Sequence, residues 1–408
     1  MRAGPEVAAY TKFDKTRWNV TVPPTKGFKI SAAGSIFSHT LSEINIGYGY
    51  AGTGIGTLRW DQTTPLLADA VYFGRGKGGT GILEVPAGGT VRFGTVSEPL
   101  SSLRLAYDDS GGGSSAATNA HLDFTTTDPV VEVYVTTDLS IGRRNSGAGN
   151  AAASGSLILG SHSTVVVGTE AAPAVVYIGF NQDFDISSGD NGYGSATGVL
   201  DATAPGSQVA LELSELNVGR SLAGAASGMM TQGSGAVVRA EIVRIGSGGS
   251  ASGAYDLQGG TLSAGTVTLG ADGTFSFSGG TLELGTFDGD LVQAGGVLTS
   301  LAPPGVVTIN GVYGLGADAT VAIALVESGG NVEHDIVAVS GAAILNGTLS
   351  ITLVNNPVFA AGQTFDVITY NDHVGEFAQI NGLDIGNGLV LQPEYLKTGL
   401  RLTVTTEP

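Results

Sequence analysis

Hydrophobic side chains recur along most of this chain in one short unit: apolar, variable, apolar, glycine. It appears as INIG (44–47), VYFG (71–74), VRFG (91–94), LSIG (139–142), LILG (157–160), VVVG (165–168), VYIG (176–179), LNVG (216–219), VRIG (243–246), VTLG (267–270) and LELG (282–285). In an extended strand the two apolar residues of each unit point to the same face. The glycine that follows can take a positive φ and turn a corner. Helical periodicity is nearly absent, because glycine interrupts every window that could carry it. The pattern predicts short strands throughout.

Longer phrases recur as well. LSEINIG at 41–47 returns as LSELNVG at 213–219, and GGTVRFG (88–94) has counterparts in GGTLSAG (259–265) and GGTLELG (279–285). Intervals between successive units are often 15 to 27 residues, the length of one solenoid coil and shorter than a propeller blade. A single coil cannot bury its inner face alone, so coils must stack in parallel to build a continuous core. The expected fold is all-β: a right-handed parallel β-solenoid (β-helix) over 41–300, followed by a β-sandwich-like or capping domain over 301–408. About ten to thirteen coils would make a rod about 50–60 Å long. The predicted inner face carries Ile44, Ile46, Val71, Phe73, Val91, Phe93, Leu216, Val218, Val243, Ile245, Val267, Leu269, Leu282 and Leu284.

Three Gly/Ser/Ala tracts, at 111–120, 145–156 and 221–228, read as loops swelling from coil corners. At LAPPG (301–305) the strands lengthen and alternate with period two, which predicts a distinct antiparallel domain. Residues 1–40 lack the repeat and contain Trp18; they read as a cap or as an arm exchanged with a neighbour.

Composition narrows the possible functions. Glycine contributes 65 of 408 residues without a collagen period, and charged residues are only 13%. The net charge of −18 opposes nucleic-acid binding, which needs lysine and arginine to displace counterions. Cysteine is absent, which removes thiol chemistry and thiolate metal sites. No apolar stretch is long enough to predict a membrane-inserted helix. No signal peptide is visible at Met1–Pro5, and the chain is read as a mature or recombinant form of a protein that belongs outside the cell or on its surface.

The repeated phrases at 213–219, 243–246 and 279–285 resemble the β-strand repeats of secreted Gram-negative autotransporter-passenger-like and PEP-CTERM-type exoproteins. The passage 279–323 is similar to that family as well, and the run from His334 to Tyr395 resembles its closing module. The resemblance spans about residues 41–404. It implies a surface, matrix or adhesin-like role and brings no catalytic residues with it.

Candidate chemistry is sparse. No two of the five histidines stand at strand or helix spacing for zinc. The glycine-rich run Gly74–Gly79 lacks the helix N-terminus that a phosphate loop needs. Asp108 with Asp109, Asp288 with Asp290, and the group Asp183, Asp185 and Asp190 offer oxygen ligands; the last group is the best calcium candidate. Tyr48, Tyr50, Arg59, Trp60, Asp61, Tyr72, Arg75 and Lys77 form one patch able to stack on a sugar or face a neighbouring subunit. The expected role is a structural subunit of an extracellular filament, sheath or surface layer, self-associating head-to-tail through β-strand edges. The alternatives are an adhesin stalk binding surface glycans and, further off, a polysaccharide-degrading β-helix enzyme.

Overall fold

The computed structural model describes residues 41–49, 52–60, 63–109, 116–145, 151–182 and 194–407. The expected N-terminal cap or arm, residues 1–40, lies outside them. Among the described residues there are thirty-two strands and no helix. Most ladders are parallel, and the chain is an all-β parallel solenoid. It divides into two compact units: Met1–Met230 with Ile245–Ala254 and Gly270–Gly273, and Thr231–Arg244 with Tyr255–Leu269 and Thr274–Pro408.

In the first unit the strands are β1 (Leu41–Tyr48), β2 (Gly54–Arg59), β3 (Ala68–Arg75), β4 (Gly79–Glu84), β5 (Thr90–Phe93), β6 (Leu100–Asp108) and β7 (Thr118–Asp123). They continue as β8 (Val130–Arg144), β9 (Ala153–Ile158), β10 (Ser163–Val167), β11 (Ala174–Gln182), β12 (Ser195–Ala202) and β13 (Gln208–Ala223). Strands β14 (Ala225–Gln232), β15 (Ala236–Ser247), β16 (Ala251–Leu257) and β18 (Asp272–Phe277) contribute residues to both units. Each coil of the first unit has three faces. The first stacks β1, β3, β6, the end of β8, β11 and the end of β13 in parallel. The second stacks β2, β4, β7, β9 and β12. The third stacks β5, the start of β8, β10 and the start of β13.

Register along the first face runs Ile44, Val71, Leu103, Leu139, Val176, Leu216, so successive coils take 27, 32, 36, 37 and 40 residues. These coils are longer than the sequence intervals suggest. The reason is that neighbouring units can belong to one coil: LILG runs off the end of β9 and VVVG off the end of β10, two faces of the same turn. The tract 221–228 is not a loop either. It closes β13 and opens β14 across a corner at Gly224, whose φ is +72°.

The predicted inner face is buried at twelve of its fourteen positions; Ile44 and Leu269 are half-buried. Ile44 lies on β1, which among the described residues is paired only with β3. Leu269 closes its strand at the turn into Gly270.

The corner between the first and second faces is made of backbone. Gly47, Gly74, Gly142, Gly179, Gly219 and Gly246 all hold φ between 63° and 75°, and Ala106 holds 55° in the same row. A Cβ added at Gly142 would lie 1.7 Å from the Thr197 carbonyl oxygen, and one at Gly179 would lie 1.8 Å from that of Ser227. A second glycine row on the adjoining face comes equally close: a Cβ on Gly198 would lie 2.2 Å from the Gly179 nitrogen. The motif glycine therefore serves twice, giving the left-handed conformation and the room for the crossing strand.

The second unit holds β17 (Thr261–Leu269), β19 (Thr281–Asp288), β20 (Leu291–Ser300), β21 (Val306–Asn310), β22 (Tyr313–Ser328), β23 (Asn331–His334) and β24 (Ile336–Val339). Then follow β25 (Ala342–Ile344), β26 (Thr348–Val354), β27 (Thr364–Thr369), β28 (Asp372–Val374), β29 (Gln379–Asn381), β30 (Asp384–Gly386), β31 (Leu389–Leu396) and β32 (Gly399–Thr406). Leu262 stacks on Leu282, then Leu298, Val321, Leu349 and Ile380, in coils of 20, 16, 23, 28 and 31 residues. Parallel stacking thus runs through LAPPG to β29, where the lengthened strands suggested an antiparallel set. Antiparallel pairing is confined to the β22–β23 hairpin and to β27, β30, β31 and β32 at the end. Period-two alternation is shared by both kinds of sheet, which is why the strand pattern alone pointed the wrong way.

Three fully buried polar side chains of the second unit are well matched. Gln232 is fully buried, its amide donating to the Ala236 and Thr261 carbonyls while its oxygen accepts from the Tyr255 hydroxyl. Gln293 repeats the arrangement with Gly296, Thr320 and Tyr313. Asp335 pins the LAPPG turn, accepting from Ser300 Oγ at 2.8 Å, Gly305 N at 2.7 Å and Ala324 N at 2.8 Å.

Candidate functional site

The outer side of the first face carries the densest chemistry among the described residues. One row reads Tyr48, Arg75, Tyr107, Arg143, Phe180, Arg220: aromatic and guanidinium alternate over six coils. A second row beside it reads Asn45, Tyr72, Arg104, Ser140, Tyr177, Asn217. Strand alternation would not put Tyr72 and Arg75 on one side, since they are three residues apart. The positive-φ residue between them resets the alternation and brings both rows outward.

Each guanidinium of the two rows lies against at least one ring, and Arg75, Arg104 and Arg143 against two or more. Arg75 sits 4.2 Å from the Tyr72 ring centre, Arg104 4.7 Å from Tyr107, Arg143 4.2 Å from Tyr177 and Arg220 5.5 Å from Phe180. Tyr177 and Phe180 stack on each other at 4.8 Å with only 10° between planes. Carboxylates flank the stack. Asp109 binds Arg75 at 2.8 Å, Asp138 binds Arg104 at 2.7 Å and Arg143 at 3.6 Å, and Glu215 binds Arg220 at 2.9 Å; Glu43 also pairs with Arg75. Arg104 donates to the Tyr72 hydroxyl at 2.8 Å, and Arg143 to the Gln182 side-chain oxygen at 2.5 Å.

The electrostatics follow from this packing. Burial pushes the Tyr72 and Tyr177 phenols upward, which keeps them neutral. Burial works against the charge of Arg75, but the hydrogen bond and charge of Asp109 more than restore it. Burial and Asp138 oppose each other at Arg104 in the same way, and Asp138 prevails. A desolvated guanidinium over a ring is worth about 2 kcal/mol, more than an exposed one. Three of the rings are largely covered, Tyr72, Tyr107 and Phe180 being 5%, 6% and 3% exposed, whereas Tyr48 at the first coil is 38% exposed. On Tyr72, Tyr107 and Phe180 the ring faces that a sugar would need are taken by guanidinium groups.

The sequence patch around Tyr72 is only partly one site. Tyr48, Tyr72 and Arg75 stand together on this face. Trp60 and Lys77 are buried, and Arg59 pairs with Glu84 on the second face. Tyr50 and Asp61 lie outside the described residues, as do the calcium candidates Asp183, Asp185 and Asp190. Asp108 and Asp109 part company: Asp109 joins the stack, whereas Asp108 is fully buried with its carboxylate 3.6 Å from Arg144. Asp288 accepts from Asn310 and Asp290 from the Val312 amide. The run Gly74–Gly79 turns β3 into β4, with Gly79 N donating to Gly76 O at 3.1 Å. Among the described residues no three His, Asp or Glu side chains gather as a metal site.

Sequence reasoning missed Arg104, Tyr107, Arg143, Tyr177, Phe180 and Arg220. A signal for the first row was present: the residue after each motif glycine reads Tyr48, Arg75, Arg143, Phe180, Arg220. Its third member hides behind LRLA (103–106), where Ala106 stands in for the glycine.

No protein-family model matches the chain. A comparison with curated proteins likewise finds no match.

Proposed function

We propose that this protein is a structural subunit of an extracellular filament, sheath or surface layer, a surface exoprotein of the kind its repeats resemble. The observation that carries this reading is the Arg–aromatic stack. Its rings, guanidinium groups and carboxylates satisfy one another from coil to coil, so the face acts as a continuous staple along the stacking direction. A glycan-binding adhesin would instead keep ring faces and hydrogen-bonding groups free for its ligand. A catalytic groove would need a carboxylate or base poised for proton transfer. Here Asp109, Asp138 and Glu215 are each held by an arginine. The low charge fraction and glycine-rich turns suit a chain whose solubility rests on backbone turns and hydroxyl side chains. Self-association is the expected behaviour, through surfaces that extend the stacking chemistry. Negative-stain microscopy of the native protein tests the proposal: ordered fibres or sheets are expected. Isolated particles at every concentration and salt, together with retention on a glycan array, would replace it with the adhesin reading.

A further inference from the structure

Every inner coil of the second unit has a parallel neighbour on both sides. The last coil, β27 to β29, has one on a single side only, through β24, β25 and β26. Left open, this end would present three unpaired parallel edges above an apolar interior, a template for another coil. The C-terminal strands close the β27 edge instead, while β28 and β29 have no second strand partner among the described residues. β32 lies antiparallel along β27, with Thr364 opposite Thr403 and Phe365 opposite Leu402. Arg401 forks onto Asp366 at 2.7 and 3.0 Å across the same pair of strands. From β31, Tyr395 stacks on His373 of β28 at 5.9 Å and 19°, and its hydroxyl accepts the Phe377 amide at 2.9 Å.

An antiparallel ladder spaces its donors and acceptors differently from a parallel one, so no further coil can join along β27 while β32 is there. The outer side of this closing sheet is itself blunted. β30 is three residues long, its turn carries positive φ at Gly386, Asn387 and Gly388, and Pro393 in β31 has no amide to donate.

We propose that residues 384–406 are a stop that hides an acceptor for a second copy of this chain. The acceptor needs three parallel strands delivered at once, with apolar residues inward and corners between them. A single peptide strand could fill only one face, whereas a coil of this chain supplies all three. This inference rests on the self-assembling reading above. It adds that growth at this end is blocked until the stop is displaced.

The test uses the full chain at near-physiological ionic strength, where the −18 charge is screened. Leu402, on β32, is fully buried. Leu402→Asp should free the stop, make residues 384–406 protease-sensitive, and raise the sedimentation mass above that of the wild-type chain while the strand signal in circular dichroism persists. A protease-sensitive stop on a chain that keeps the wild-type sedimentation mass overturns the proposal. Should Leu402→Asp unfold the protein, the paired positions Thr364→Cys and Thr403→Cys give a second route, since the chain has no cysteine of its own. In mild urea the reduced form should associate and the oxidised form should not; equal association in both overturns it. Absence of fibres from the wild-type chain counts against the functional reading alone, because the variants are read as a gain over wild type.

Discussion

Gly142→Ala is the sharpest probe of the glycine corner. The substitution puts a methyl 1.7 Å from the Thr197 carbonyl oxygen and 2.5 Å from its carbon, both backbone atoms of the next coil. It also asks an L-residue to hold φ of +66°. The left-handed conformation costs about 1–2 kcal/mol. The smaller entropy loss of alanine returns about 0.5–1 kcal/mol. Relieving the overlap requires the second-face strand to withdraw by more than an ångström, and overpacking of this kind costs about 1–3 kcal/mol. The net destabilisation should be about 3 kcal/mol. Nature supplies the control one coil earlier, where Ala106 occupies the equivalent place at φ of +55°. There the strand of the next coil stands further off: a Cβ on Gly155 would lie 2.9 Å from the Leu105 carbonyl oxygen, against 2.3 Å from the equivalent Ile141, Ile178 and Val218 carbonyls for Gly198, Gly228 and Gly253. Ala106→Gly relieves the backbone but gives up a buried methyl, worth about 0.8 kcal/mol. It should therefore shift stability by less than about 1 kcal/mol. Urea unfolding followed by circular dichroism, with hydrogen exchange at the Ile141–Arg143 amides, reads both variants. Equal midpoints for Gly142→Ala and Ala106→Gly would refute the reasoning.

Other outcomes follow from the same structure. Asp335→Asn keeps the shape but offers one acceptor oxygen to three donors, so it should cost about 2–4 kcal/mol and loosen the 301–305 turn, read by urea midpoint and local proteolysis. Burial pushes the Tyr255 and Tyr313 phenols well above 10 and Tyr370 up to about 12. The folded state thus holds protons that the unfolded chain releases, so stability is complete below pH 10 and falls above it by about 1.4 kcal/mol per unit per buried phenol. Phenolate absorbance should show Tyr255 and Tyr313 ionising only as the fold is lost; early titration of all tyrosines would contradict their burial. For the stack, a double-mutant cycle of Arg143→Met and Tyr177→Leu should give a coupling of about 1–2 kcal/mol. Strict additivity would mean the ring and the guanidinium merely coexist. Ile245→Asp should abolish folding, because a buried carboxylate without a partner costs several kcal/mol; a soluble chain with native circular dichroism would count against the inner face.

Much of this architecture was legible in one dimension. Two apolar residues before a glycine name their own face, because strand alternation is fixed by the backbone, and Val71, Phe73, Val243 and Ile245 are buried as that rule requires. The corner was legible for the same local reason: a residue that must hold positive φ is usually glycine. Everything that depends on which strand lies beside which came only from the tertiary structure. Coil length did, since LILG and VVVG share a turn. So did the parallel stacking beyond LAPPG, because alternation does not distinguish parallel from antiparallel ladders. The Arg–aromatic stack shows this most clearly. Arg75, Tyr107 and Arg143 stand 32 and 36 residues apart in the chain and one strand apart in space. Ala106 broke the motif that would have marked the middle member, and register across coils of unequal length is a property of packing.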